Sequence, residues 1–86
     1  DKNDSMLNKI NKLLNGYKKN KDRVSINLIL YLIDQYFHKL TQSNVNQIDF
    51  LMKIKSSITT NINDFIYYNL NVNSVLNSIE VKLNNV

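Results

Sequence analysis

Six consecutive apolar or aromatic residues, at positions 28–33, constrain the fold of this chain more than any other stretch. On a helix, six such residues reach every side of the axis, so the sequence predicts that protein rather than water surrounds them. The residues around this run keep the spacing of three and four that is typical of helices. They share one broad apolar face, made of Ile26, Ile29, Ile33, Tyr36, Phe37 and Leu40. Residues 25–40 are therefore predicted to be the central helix of a bundle, covered partly by this chain and partly by other polypeptides.

The first two helices have start and stop signals in the sequence. Asp4 or Ser5 is expected to begin the first helix, because either side chain can accept a hydrogen bond from an N–H group of the first turn. Gly16 is expected to end it, since glycine readily adopts the left-handed conformation that follows many helices. Residues 18–21 would then be a charged connector, and Asp22 would be the N-cap of the central helix.

The second half of the chain predicts two more helices. Polar residues 41–46 are expected to form a turn, and helical spacing then continues from about 46 to about 68. Serine and threonine lower the helix propensity before 59–61, which leaves room for a kink there. Residues 69–71 are rich in asparagine and are expected to separate the third helix from a fourth. The apolar face of the fourth helix consists of Val72, Val75, Leu76, Ile79, Leu83 and Val86.

These segments predict an all-α fold, a small bundle of four to five helices that forms one domain over residues 1–86. The sequence has no alternating run long enough to predict a strand. A chain of 86 residues without cysteine has no disulfide to support it, and its expected free energy of unfolding is only about 4–13 kcal/mol. We therefore expect a piece of a larger assembly, and Asp1 in place of an initiator Met agrees with an excised segment.

Catalytic signals are weak in this sequence. His38 is the only histidine, and no cysteine or glutamate stands at metal-ligand spacing from it. One glycine is too few for a phosphate-binding loop. The carboxylates of the second to fourth helices are scattered, at Asp34, Asp49, Asp64 and Glu80. We expect a non-catalytic domain with no cofactor, no metal and no small-molecule substrate. A small enzyme that uses His38 with one carboxylate is the alternative.

The net charge of +4 lies entirely at the N-terminal end, because residues 1–23 carry seven cations and three anions and the remainder is balanced. The candidate phosphate contacts are Lys9, Lys12, Lys18, Lys19, Lys21 and Arg23. Tyr17 is the only aromatic residue among them, whereas readers of bases or single strands use arginine and aromatic residues. A solvated basic face is the simpler interpretation. The alternative is a free-standing small basic bundle that binds nucleic acid through this patch.

Large aromatic residues are more numerous than one small core needs. They can fill the core, but those left outside would form an apolar patch of the kind that marks partner surfaces. The candidate partner-interface residues are Tyr31, Tyr36, Phe50, Tyr67 and Tyr68.

Targeting and membrane signals are not visible in the sequence. The longest apolar run has six residues, whereas a helix that spans a bilayer needs roughly 20. We therefore expect a soluble, cytoplasmic protein without membrane contact.

Residues 68–83 resemble the closing helix of bacterial DNA polymerase III clamp-loader subunits, most of all delta prime. In that family the helix follows an Asn-containing turn and carries leucines at these spacings, and the segment here reads YNLNVNSVLNSIEVKL. Three upstream segments resemble the preceding helices of the family: 6–16 (MLNKINKLLNG), 30–40 (LYLIDQYFHKL) and 51–63 (LMKIKSSITTNIN). Two positions depart from the family pattern, since Asn77 replaces a usually acidic residue and Glu80 a usually apolar one.

The resemblance implies a helical collar domain, the C-terminal part of a longer subunit of a DNA-directed DNA polymerase holoenzyme. In that family, collars of delta, delta prime and gamma or tau pack side by side in a five-membered assembly that loads the sliding clamp during DNA replication. It implies a non-catalytic oligomerisation role, with other clamp-loader subunits as partners and nucleic acid as an indirect one. The resemblance places Leu76, Ile79 and Leu83 inside the bundle and the partners on the outward faces of the second and third helices.

Overall fold

The computed structural model describes residues 3–86, which form four α-helices and one short 3₁₀ turn. The elements are α1 (Asp4–Asn20), α2 (Arg23–Ser43), the 3₁₀ turn (Val45–Gln47), α3 (Ile48–Tyr67) and α4 (Val72–Leu83). Within the described range there is no β-strand. The predicted all-α fold of four to five helices is therefore confirmed.

The four helices form a ring in which each helix packs against two neighbours. α1 contacts α2 and α4, and α3 contacts α2 and α4, so the apolar faces of all four meet along the middle. Fourteen buried apolar side chains make this core: Leu7, Ile10, Leu14, Ile26, Ile29, Ile33, Phe37, Leu51, Ile58, Ile62, Phe65, Val75, Ile79 and Leu83. Leu76 lies half-buried against them. Every helix contributes at least three residues, which is why none can be removed without opening the core.

The predicted N-caps of α2 and α4 are confirmed, whereas that of α1 is wrong, because Asn3 occupies the N-cap position and Asp4 and Ser5 lie in the first turn. The Asp22 side chain accepts a hydrogen bond from the N–H of Val24 at 2.9 Å and begins α2. The Asn71 side chain accepts one from the N–H of Ser74 at 3.2 Å and begins α4. Each bond satisfies a donor that the first turn leaves without a helical partner.

The prediction that α1 ends at Gly16, followed by a connector at 18–21, is wrong. α1 continues to Asn20, and Lys21 rather than glycine takes the left-handed conformation, with φ of 53°. A glycine inside a helix costs only about 1 kcal/mol. The packing of Tyr17 against Phe65, with ring centroids 5.9 Å apart, offsets this cost.

Replacing Gly16 by alanine is expected to raise the free energy of unfolding by about 0.5–1 kcal/mol, because alanine is the better helix former. An added methyl group would meet only the Ser25 hydroxyl, at an ordinary contact distance of 3.6 Å. Urea denaturation followed by circular dichroism measures the change. A loss of stability would show that the α1–α2 contact at this point is tighter than the structure indicates.

The predicted boundaries of the next elements shift by a few residues. α2 runs past 40 to Ser43, since the Asn44 side chain donates a hydrogen bond to the Leu40 carbonyl at 2.9 Å and closes its last turn. α3 crosses 59–61 without interruption, and there the Thr60 hydroxyl donates to the Ser56 carbonyl at 3.1 Å. A threonine that bonds back in this way is accommodated inside a helix.

The central run at 28–33 is enclosed by this chain on one side only. Ile29 and Ile33 are buried in the core, whereas Leu28 and Tyr31 are 47% and 59% exposed. The reason is geometric, because α2 has two neighbouring helices and its remaining side faces outward. The prediction that protein surrounds residues 28–33 on every side can therefore hold only if a second polypeptide covers the outward side of α2.

Candidate protein-interaction surface

An apolar stripe lies along the outward side of α2. Val24, Leu28 and Tyr31 follow one another at spacings of four and three, which places them on one face of the helix. All three are exposed, so none is needed to fill the core. Contiguous exposed apolar surface of this kind marks partner sites more often than scattered single residues do.

A groove between α1 and α2 adjoins this stripe. Part of its lining carries amide and hydroxyl groups, from Asn3, Ser5, Gln35, Tyr36 and Ser43. Its apolar part, the floor, consists of Met6, Leu13, Leu28, Tyr31, Leu32 and Leu40, while Lys9, Lys12 and Lys39 stand along it as exposed side chains. We call these nine residues the α1/α2 groove. It contains two open depressions of about 450 and 370 Å³, and both are lined by Lys9 and Leu32. They are therefore parts of one continuous surface.

The five candidate partner-interface residues do not come together in one place. Tyr31 lies in the α1/α2 groove, and Phe50 is exposed in the first turn of α3. Tyr67 and Tyr68 are 81% and 64% exposed at the other end of α3, where their rings meet edge to face at 4.8 Å. At 1.5 Å per residue, Phe50 and Tyr67 are separated by about 25 Å along the helix. Phe50 and Tyr67 therefore belong to opposite ends of α3.

Tyr36, the fifth candidate, lines the 450 Å³ depression of the groove to which Tyr31 also belongs, and it contacts other parts of this chain. Its hydroxyl donates a hydrogen bond to the Asn3 side-chain oxygen at 3.1 Å, and its ring lies edge-on to Phe37 at 5.2 Å. Burial raises the pKa of the Tyr36 hydroxyl above its usual value of 10.0, and the hydrogen bond between Tyr36 and Asn3 has a smaller effect on this pKa in the opposite direction. Tyr36 thus fastens the beginning of α1 to α2.

The raised pKa of Tyr36 predicts a loss of stability in alkali. A group whose pKa is higher in the folded state stabilises that state fully below its unfolded pKa, about 10, and less as the pH rises through the folded pKa. We expect the free energy of unfolding to fall between about pH 9 and pH 11, and to fall less in Tyr36→Phe. Tyr31→Phe is the matched control and should keep the original pH dependence. Urea denaturation at the two pH values tests this prediction. An equal fall in the free energy of unfolding between these pH values in Tyr36→Phe and Tyr31→Phe would contradict it.

The six candidate phosphate contacts divide between two places. Lys9 and Lys12 belong to the α1/α2 groove, whereas Lys18 lies on the opposite side of α1, since nine residues from Lys9 is two and a half turns. Lys18 donates to the side-chain oxygen of Asn69 at 2.6 Å and to its carbonyl at 3.2 Å. Lys18 therefore binds the C-terminal end of α3, where the helix dipole favours a cation.

The remaining three cations lie near the same end of the bundle. Lys21 approaches the Tyr17 ring, with its ammonium 5.4 Å from the centroid. Lys19 and Arg23 are exposed. Because Lys18 binds Asn69, the α1–α2 turn and the α3–α4 turn lie at one end, together with Tyr67 and Tyr68.

The residues that catalysis would need lie in a shallow depression between α2 and α3. His38 and Asp34 both line it, but Asp34 forms an ion pair with Lys55 and its side chain is 61% exposed. His38 is also exposed and contacts the Gln42 side chain at 3.2 Å. An acid–base pair gains most of its effect where water is excluded, which this open surface does not do. Among residues 3–86, no group of three or more His, Cys, Asp or Glu is placed to hold a metal ion.

Sequence reasoning missed the α1/α2 groove. The signal for the stripe on α2 was present, since Val24, Leu28 and Tyr31 have helical spacing, but the unbroken run at 28–33 concealed which side faces outward. Lys9 and Lys12 are among the candidate phosphate contacts because the sequence does not show which lysines stand beside apolar residues. None of the helices in the described part of the chain is both long and apolar enough to cross a membrane.

Comparison of this chain with protein-family models, with curated proteins and with solved structures gave no match.

Proposed function

We propose that this chain is a non-catalytic helical oligomerisation domain, the collar of a DNA polymerase III clamp-loader subunit that packs against sister subunits during DNA replication. The observation that carries the proposal is the outward side of α2, where Val24, Leu28 and Tyr31 stay exposed although the same helix fills the core. A second polypeptide that covers this stripe would remove its apolar surface from water, which is the main driving force of most associations.

The resemblance of residues 68–83 to the closing clamp-loader helix supports the same function. In the structure Ile79 and Leu83 are buried and Leu76 is half-buried, which is the inward placement that the resemblance implies. Four helices in a ring leave outward faces on α2 and α3 for neighbours on either side. A domain whose own core is complete and whose surface retains apolar stripes is suited to assembly rather than to chemistry.

The test is association with clamp-loader subunits. The mass of the chain is measured by light scattering, alone and mixed with delta, gamma or tau, and we expect a complex with at least one of them. Leu28→Glu should abolish the complex, since it places a charge in a desolvated contact. Val81→Glu is the matched control, because Val81 is also an exposed apolar residue but lies on α4. A chain that remains monomeric with every subunit would overturn the proposal.

A second function has one specific observation in its favour. The exposed pair Tyr67 and Tyr68 lies at the same end of the bundle as Lys19, Lys21 and Arg23. Aromatic rings beside cations are the combination by which proteins hold single-stranded nucleic acid. A small basic bundle that binds single strands at this end is therefore the alternative.

Binding of labelled oligothymidine at increasing salt concentration tests the alternative. The double variant Tyr67→Ala/Tyr68→Ala should lose stacking worth about 1–3 kcal/mol per base, whereas Tyr31→Ala, in the α1/α2 groove, should bind as the original chain does. Absence of binding at low salt would eliminate this function.

A further inference from the structure

We infer that the α1/α2 groove binds an amphipathic helix of another polypeptide whose apolar stripe is flanked by acidic residues. The inference rests on the proposed function and adds to it the surface and the chemistry of the partner. Three features of the groove carry it: its length, its apolar floor and the sign of the charges along it.

The groove has the dimensions of a helix seat. On α2 it extends from Leu28 to Leu40, which at 1.5 Å per residue is about 18 Å, or a little over three helical turns. Its two depressions, of about 450 and 370 Å³, join at Lys9 and Leu32. A concave channel between two packed helices accepts the ridge of a third helix, which then presents anchors at spacings of three and four.

The floor is apolar but incompletely covered by this chain. Met6, Leu13, Leu32 and Leu40 are half-buried against the core, while Leu28 and Tyr31 remain largely exposed. A surface of this kind gains by burial against apolar side chains, which phosphate groups do not offer. Half-buried side chains are also held in place, so the floor is already formed before a partner arrives.

The charges along the groove are all of one sign. Lys9 and Lys12 stand on the α1 side and Lys39 on the α2 side. No Asp or Glu is found among the described residues that line it. Glutamate or aspartate beside the apolar stripe of a partner helix would lie opposite these lysines. Such complementarity selects the partner and its orientation and excludes helices with basic flanks.

The same charges argue against other occupants. In a symmetric dimer each patch meets its own copy, so lysines would face lysines across the axis. A membrane surface attracts lysine, but apolar residues that insert into lipid protrude, whereas four of these six, Met6, Leu13, Leu32 and Leu40, are half-buried against the core. Duplex DNA would satisfy the lysines and leave the apolar floor in contact with phosphates. A helix with acidic flanks satisfies both features.

Two synthetic peptides test the inference. Each is about 18 residues long, beyond the length at which isolated helices are marginal, with leucine at helical spacing. One carries glutamate beside the leucines, and the other carries lysine at the same positions. Fluorescence anisotropy at low salt should show the acidic peptide binding to the chain about 3-fold to 100-fold more tightly, since each of three exposed ion pairs contributes a factor of about 1.4 to 5.

Charge reversal locates the contact. The triple variant Lys9→Glu/Lys12→Glu/Lys39→Glu should reverse the preference and bind the basic peptide more tightly. The matched control Lys19→Glu/Arg23→Glu/Lys53→Glu changes the net charge equally at exposed positions outside the groove and should keep the original preference. Leu28→Gln should weaken both peptides by a similar factor, because it alters the floor and leaves the lysines intact. Circular dichroism confirms that each variant remains helical.

Several outcomes would overturn the inference. They are equal affinity for the two peptides, an equal effect of both triple variants, or no binding of the acidic peptide up to about 1 mM. Stronger binding to phosphatidylserine vesicles or duplex DNA that depends on the three groove lysines would assign the groove to phosphate instead. Association with a clamp-loader subunit that survives the groove triple variant would overturn the groove and leave the proposed function standing. Selective binding of the acidic peptide without association with any clamp-loader subunit would overturn the proposed function and leave the groove inference standing.

Discussion

Replacing Phe37 by alanine is expected to lower the free energy of unfolding by about 3–5 kcal/mol. Phe37 is among the largest side chains of the core, and only 1% of its surface is exposed. The ring is lost from the apolar interior, and the helices around it close the resulting cavity only in part. Against a total of about 4–13 kcal/mol for a chain of this length, the loss removes between about a quarter and all of the stability. Urea denaturation followed by circular dichroism measures it.

Tyr31→Ala is the matched control on the same helix. It also removes an aromatic ring, but from the outward side of α2, where the side chain is mostly in water. Substitutions of exposed residues usually change the free energy of unfolding by no more than about 0.5 kcal/mol. An equal loss in both variants would contradict the assignment of one side of α2 to the core and the other to a partner.

The helices themselves could be predicted from the sequence because their signals are local. Asp22 and Asn71 cap the helices that follow them, and each needs only the first turn of its own helix to do so. The core residues of α4 could be identified in the same way, from apolar spacing that a single helix imposes. Agreement between caps and spacing is what made the number of helices predictable.

Where the sequence prediction failed, contacts between distant residues decided the structure. Gly16 is a local stop signal, but α1 passes it because Tyr17 packs against Phe65 and Lys18 binds Asn69 across the bundle. These partners lie about 50 residues away in sequence, and local rules carry no information about them. The positive φ at the end of α1 therefore falls on Lys21 instead of on the glycine.

The candidate surface could be predicted only in part. Tyr31 is a candidate partner residue in the sequence because α2 has more apolar positions than one core can use, and the structure shows that it is exposed. The α1/α2 groove could not be found, since it requires knowing that Lys9 on α1 and Lys39 on α2 stand beside the same apolar floor. Such pairings follow from the rotation of each helix in the bundle, which composition and spacing along one helix leave open.

A clamp-loader subunit that covers the outward side of α2 is expected to raise the melting temperature of this chain by about 10–20 °C. A ligand that binds only the folded state adds about 2.7 kcal/mol to the free energy of unfolding at a hundred times its Kd. In a domain of this size each kcal/mol shifts the melting temperature by about 4–8 °C. Differential scanning calorimetry of the chain, with and without the subunit, measures the shift.

The variants of the outward stripe separate this stabilisation from a general effect of added protein. Leu28→Glu should remove the shift while the chain alone melts within a few degrees of the original, because Leu28 is 47% exposed and lies outside the core. Val81→Glu, on α4, should keep the shift in full. If both variants keep the shift in melting temperature, the partner must bind another face of the bundle. A partner on the outward side of α2 would cover Leu28, and a glutamate at this position would then weaken its binding.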